Sequence, residues 1–155
     1  MSSEEKENSL GYQVYVTANQ LRNNLNNFLK PYNIYVEQYG VLCSLNEHGT
    51  NTLSQLAEYN FKDKTSISRL VDSLLKKEFV NRENSPTDRR SYLISLTPKG
   101  QKLYDEIGVC FKLYEKQQNE SVIKEERETT IKVLTHLREM DVSRTIKQLQ
   151  KDNIC

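Results

Sequence analysis

The side chains best suited to chemistry gather between Asn51 and Gly100. From Lys64 to Lys77, apolar Ile67, Leu70, Val71, Leu74 and Leu75 recur at the spacing that makes one buried stripe on an α-helix. The remaining face carries Lys64, Thr65, Ser66, Ser68, Arg69 and Asp72, a cation at the start followed by short hydrogen-bonding groups. Such a face suits a DNA groove better than a core. Arg69 can donate two parallel N–H bonds to guanine O6 and N7. The Thr65, Ser66 and Ser68 hydroxyls suit phosphate contacts, or simply a solvated surface. For Arg69 the competing reading is an ion pair with Asp72 or Asp63.

Other chemistries find little support. His48 and His136 are remote from each other, and no glycine-rich phosphate loop, HExxH or GxSxG motif is present. Cys43, Cys110 and Cys155 form no CxxC or Cys/His cluster, so no zinc site or disulfide framework is indicated. We therefore expect no catalysis, metal or cofactor. Net charge is +1, but Asn51 to Gly100 holds nine Lys/Arg against six Asp/Glu, a local excess of +3. The leading MSSEEKENS is polar, and no apolar run approaches the roughly 18 residues of a membrane span, which predicts a reduced, cytoplasmic protein without a membrane partner.

The elements that would hold these residues are mostly helical, as five glycines and three prolines among 155 residues suggest. Residues 1–9 read as a disordered lead-in. Leu10, Val14, Ala18, Leu21, Leu25 and Phe28 form the seam of a long helix, which Pro31 should end while forcing Lys30 out of the α region. A second helix runs from about Val36 to Glu47, with Gly49 near its C-cap. Thr52 and Gln55 fit a capping box at the start of a third helix, which runs to about Tyr59. Phe61 falls in the turn, and Asp63 caps the fourth helix. Strands at Phe79–Arg82 and Tyr92–Leu96 flank a polar loop, Glu83 to Ser91. Thr97 as N-cap and Pro98 at the first position open a helix through Leu103, Ile107 and Cys110, and a last helix is expected from about Lys124 to Gln150.

The run Asp88-Arg89-Arg90-Ser-Tyr-Leu-Ile94-Ser-Leu96-Thr97-Pro-Lys-Gly100 resembles the wing-to-helix signature of the MarR family. Leu53-Ser-Gln-Leu56-Ala57 and Ser68-Arg69-Leu70-Val71-Asp72-Ser-Leu74 are similar to its helix-turn-helix, and Glu37-Gln38-Tyr39-Gly-Val41-Leu42 to its second helix. The resemblance implies a mainly α (α+β) fold, in which residues 33–100 are a winged helix-turn-helix DNA-binding domain. It also implies that residues 10–32 and 101–155 are long N- and C-terminal dimerisation helices.

On this resemblance, Lys64, Thr65, Ser66, Ser68 and Arg69 would enter the major groove. Arg90, beside Arg89, would reach the minor groove from the wing, with Asp88 orienting an arginine. Thr52, Ser54 and Gln55 could hold a phosphate. The function implied is a ligand- or stress-responsive transcriptional regulator of repressor type, binding double-stranded DNA as a homodimer on a pseudo-palindromic operator. A winged domain that docks protein rather than DNA is the alternative, and the terminal helices could instead pack on their own central domain. A small phenolic or other aromatic effector would meet Tyr15, Asn19, Arg22 and Tyr39, unless these are ordinary structural residues. Some family members sense oxidants through a cysteine early in the first helix, and none lies between Met1 and Lys30 here. Cys43 reads as a buried structural thiol.

Overall fold

A computed structural model of the chain describes residues 2–86, 91–140, 146–147 and 150–151. The order of elements is α1 (Ser3–Glu7), α2 (Leu10–Leu29), α3 (Val36–His48), β1 (Asn51–Thr52), α4 (Leu53–Tyr59), α5 (Lys64–Lys76), β2 (Val80–Asn84), β3 (Tyr92–Leu96), α6 (Pro98–Glu120) and α7 (Lys124–Glu139). This is the expected mainly α (α+β) architecture. The chain divides into two compact units, Met1–Gly108 and Val109–Cys155.

Several expectations change at the ends of elements. Within the lead-in expected to be disordered, Ser3–Glu7 is helical because Ser2 and Glu5 satisfy each other's backbone amides in a capping box. Lys30 keeps α-helical dihedrals, and Pro31 is absorbed in a 3-10 turn spanning Lys30–Tyr32. A proline costs little there, since the first turn of a helix has no internal partner for that amide. The stop is instead Asn33, at φ 55°, whose N–H donates to the Lys30 carbonyl at 3.0 Å.

In the first unit, Leu29, Ile34, Val41, Leu42, Leu56, Ile67, Val71, Leu74, Ile94 and Ile107 form a core with no exposure beyond 2%. The helices pack on a three-stranded antiparallel sheet of order β1-β3-β2. Ile94 at its centre pairs with Asn51 on one side and Arg82 on the other. The first long strand is displaced from the expected Phe79–Arg82 to Val80–Asn84, because Phe79 belongs to the stop of α5. That stop has the Schellman pattern, with Phe79 N–H donating to Leu74 O at 3.0 Å and Glu78 N–H to Leu75 O at 2.9 Å. Gly100 is dictated by the same corner, for a Cβ there would lie 1.9 Å from the Phe79 carbonyl oxygen.

The start of α6 matches its sequence signals, with Thr97 Oγ1 accepting from Gly100 N–H at 2.9 Å. In the second unit, Arg127 of α7 donates to the Asn119 carbonyl near the end of α6 at 2.7 Å. Of the helix expected to reach Gln150, α7 itself ends at Glu139, where Met140 turns extended with ψ 127°, and the described residues 146–147 and 150 are again helical.

Candidate nucleic-acid interface

Helices α4 and α5 are joined by a tight turn in which Phe61, at φ 51°, is 91% exposed. Asn60 holds the turn, donating from its side chain to Ser44 Oγ at 3.0 Å and to Leu56 O at 2.8 Å. Asp63 then starts α5, accepting from Ser66 N–H at 2.8 Å and from the Ser66 hydroxyl at 2.7 Å. The Ser66 hydroxyl, followed by its amide, holds the Asp63 carboxyl below the usual carboxylate range. Ser66 is thus half committed to the cap, and its proton is not available to a phosphate while the cap is closed.

The other predicted residues of this face differ in exposure. Ile67, Val71 and Leu74 are fully buried, which turns Lys64, Thr65 and Arg69 outward as exposed residues and leaves Ser68 half-buried. Neither predicted competitor captures Arg69. Asp63 serves the cap, and Asp72 Oδ1 lies 3.2 Å from Arg82 Nη2.

Arg82 was missed in the sequence. It stands on β2 opposite Ile94, pairs with Asp72 of α5 and lies over the Tyr92 ring of β3, 5.1 Å from its centroid. A signal for it existed. Val80 and Arg82 share one strand face, Val80 is buried, and a charge on that face needs a partner.

At the start of α4 the capping box is as read, with Gln55 N–H to Thr52 Oγ1 at 3.3 Å and Thr52 N–H to Gln55 Oε1 at 2.9 Å. These side chains serve the helix end, while Ser54 is exposed beside them. Strands β2 and β3 remain paired out to Asn84 and Tyr92, followed by a bond from Ser85 N–H to Ser91 O at 2.9 Å. Asp88, Arg89 and Arg90 lie outside the described residues.

A helix-turn-helix followed by a two-stranded wing is the arrangement of a winged helix-turn-helix domain. The model of the MarR family matches residues 34–92, which span this unit from the start of α3 into β3. Over residues 34–92 the chain is a MarR-family domain. The multiple antibiotic resistance protein MarR of Salmonella typhimurium is 35% identical over 91 residues, which cover 59% of this chain and 63% of that protein. An uncharacterized HTH-type transcriptional regulator of Bacillus subtilis is 35% identical over 54% of each chain. The chain therefore matches less than two thirds of the length of either relative. Among solved structures, a mutant MarR from E. coli complexed with operator DNA has a TM-score of 0.78 at 22% identity, covering 88% of this chain and 99% of that one. The MepR–DNA complex of S. aureus has a TM-score of 0.79 at 23% identity, covering 83% and 95%. A MarR family transcriptional regulator from Silicibacter pomeroyi has a TM-score of 0.74 at 25% identity, covering 92% and 95%.

The four residues expected around an effector differ in surroundings. Tyr39 is 5% exposed and stacks on Tyr104 with ring centroids 5.9 Å apart. Tyr15 is 66% exposed, and Arg22 turns to the Asn19 side chain and toward Glu37, 3.9 Å away. A cleft of ≈ 190 Å³ lies elsewhere, lined by Asn26, Asn27, Lys30, Asn33, Ile34 and Tyr35. Cys43 is half-buried near Tyr104, whose hydroxyl burial pushes above its usual pKa; Cys110 is exposed, and Cys155 lies outside the described residues. His48 ends α3, its ring stacked 4.1 Å from that of Tyr59. Among the described residues no group of three or more His, Cys, Asp or Glu is placed to hold a metal ion, and no helix is long and apolar enough to cross a membrane.

Proposed function

We propose that the protein is a cytoplasmic, sequence-specific double-stranded DNA-binding transcriptional regulator. It acts as a homodimeric repressor on a pseudo-palindromic operator and responds to a small phenolic or other aromatic effector. The observation that carries the reading is the α5 face. Lys64, Thr65 and Arg69 are exposed on a helix whose opposite stripe is sealed in the core, and the carboxylates nearest Arg69 are engaged elsewhere. A guanidinium presented in this way can donate to a guanine edge without first breaking an ion pair. Asp88, Arg89 and Arg90 are proposed for the wing, with Arg90 in the minor groove. Thr52, Ser54 and Gln55 are proposed for phosphate, Ser54 being the one whose hydroxyl does not serve the α4 cap.

The E. coli MarR and S. aureus MepR structures that share this fold were solved with DNA, which supports the same use of the surface here. A protein-docking wing would expose apolar side chains along α5, and its outer face is instead cationic and hydroxylic. The deciding experiment passes fragments of the organism's own genome over the protein. A retained fragment carrying an inverted repeat is expected, with affinity falling steeply as salt rises because counterions leave the phosphates. A protein partner held regardless of salt, with no fragment retained, would overturn the reading.

A further inference from the structure

One polar side chain in the core does more than fill space. Gln38 is 3% exposed, on the first turns of α3. Its Oε1 accepts from Tyr35 N–H at 3.0 Å and from Lys77 Nζ at 3.3 Å, and its Nε2 donates to Ser73 Oγ at 2.8 Å. Ser73 and Lys77 are four residues apart and so share one face of the end of α5. The Lys77 ammonium also donates to the Asn33 carbonyl, in the turn that precedes α3.

We propose that Gln38 is a positioning residue for the DNA-reading helix, setting the roll and axial place of α5 on α3 through its carboxamide; this rests on the DNA-binding reading above. Burial of Val71 and Leu74 holds α5 in the core but is non-directional, and tolerates a helix that rolls or slides by a fraction of a turn. The amide does not, since its bonds weaken steeply with angle. A buried carboxamide also loses heavily if its partners are withdrawn, so the arrangement that satisfies all of them is singled out. Arg69 lies one helical turn before Ser73 on the same rigid helix, and any roll at Ser73 is passed to it undiminished. Read this way, Gln38 acts on sequence discrimination more than on attraction to phosphate.

Three variants test this against a genomic fragment retained by the unmodified protein and against random-sequence DNA. Gln38→Met keeps the volume and removes the carboxamide, and Ser73→Ala removes its partner on α5. Gln38→Glu keeps acceptors for Tyr35 N–H and Lys77, and the Ser73 hydroxyl can turn to donate. The ratio of specific to random affinity is expected to fall about tenfold in Ser73→Ala, the loss of roughly one hydrogen bond to a buried group, and at least as far in Gln38→Met, which also removes the bonds to Tyr35 N–H and Lys77. The double variant should fall no further than Gln38→Met, because the contact that Ser73→Ala removes is already lost with the carboxamide. Gln38→Glu should restore most of the ratio, and random-DNA affinity should hold in all of them. An unchanged ratio, losses that add, or a parallel fall in both affinities would overturn the assignment of Gln38. Failure of the unmodified protein to retain any fragment would instead remove the DNA-binding reading, and this assignment with it.

Discussion

Helices α5 and α2 start alike and finish differently. Each begins on a side-chain cap, Asp63 for α5 and Ser9 for α2, and each carries an apolar seam at helical spacing. In the thirteen residues of α5, Ile67, Val71 and Leu74 are fully buried, whereas in the twenty of α2 Leu29 alone is buried. Leu10, Leu21 and Phe28 of its seam remain exposed. The same periodicity thus has two destinations. One seam is satisfied inside its own chain, and the other presents apolar surface of a kind that soluble monomers rarely leave to water. If that surface meets a second copy, then on the proposed DNA-binding reading α5 would read the DNA and α2 would set how far apart two such helices stand.

The comparison breaks most readily at the α2 seam. Leu10→Glu with Leu21→Glu places two charges eleven residues apart, on one face. If a second copy covers that face, the pair of changes should weaken association by roughly 3–6 kcal/mol, about 1.5–3 for each buried leucine. Sedimentation across a concentration series would then show monomers where the unmodified chain is dimeric, with helical content kept. An unmodified chain that sediments as a monomer at all concentrations would show that the seam is not covered this way. Leu74→Ala probes the other helix. Its side chain is fully buried, so the substitution should lower unfolding free energy by about 2–5 kcal/mol in urea titration. A loss below about 1 kcal/mol would mean that α5 is far less tightly seated than its burial implies.

Arg69→Ala separates reading from folding on α5 itself. The side chain is exposed and its neighbouring carboxylates are engaged elsewhere, so stability should change by less than about 0.5 kcal/mol. Specific DNA affinity should fall by about 1–3 kcal/mol, with preference relaxed at one position of each half-site. A uniform loss across all sequences would reassign Arg69 to phosphate.

What could be read without the fold was what local chemistry determines. The Thr52/Gln55 box, the Asp63 cap and the Thr97-Pro98 start depend on partners within three residues, and all are found where their spacing placed them. Gly100 was legible as part of a signature, but its cause, the Phe79 carbonyl against it, exists only in three dimensions. Contacts across elements were hidden for the same reason. Asp72 has Arg69 one turn away along its helix, yet pairs with Arg82 on the next strand. The two residues of β1 carry no period at all and become a strand only because β3 lies beside them. Gln38 was visible as part of a resemblance, while its grip on α5 was not.

The smallest expected effect concerns how α5 stops. Glu78 occupies the left-handed position of the Schellman turn at φ 61°, where glycine avoids the crowding of a Cβ. Its carboxylate lies 3.0 Å from Lys99 Nζ, but both groups are exposed, and such pairs contribute about 0–1 kcal/mol. Glu78→Gly removes roughly 1–2 kcal/mol of left-handed strain. It also frees the unfolded chain, which costs about 0.4–1 kcal/mol. These terms nearly offset, and the variant should lie within about 1 kcal/mol of the parent in urea titration. Glu78→Ala resolves the balance, because alanine gives up the ion pair while keeping the strain. Glycine should therefore be the more stable of the two variants by about 0.5–1 kcal/mol. The reverse order would mean that α5 does not end in this turn in solution, and that its register against α3 is set by Gln38 and the core alone.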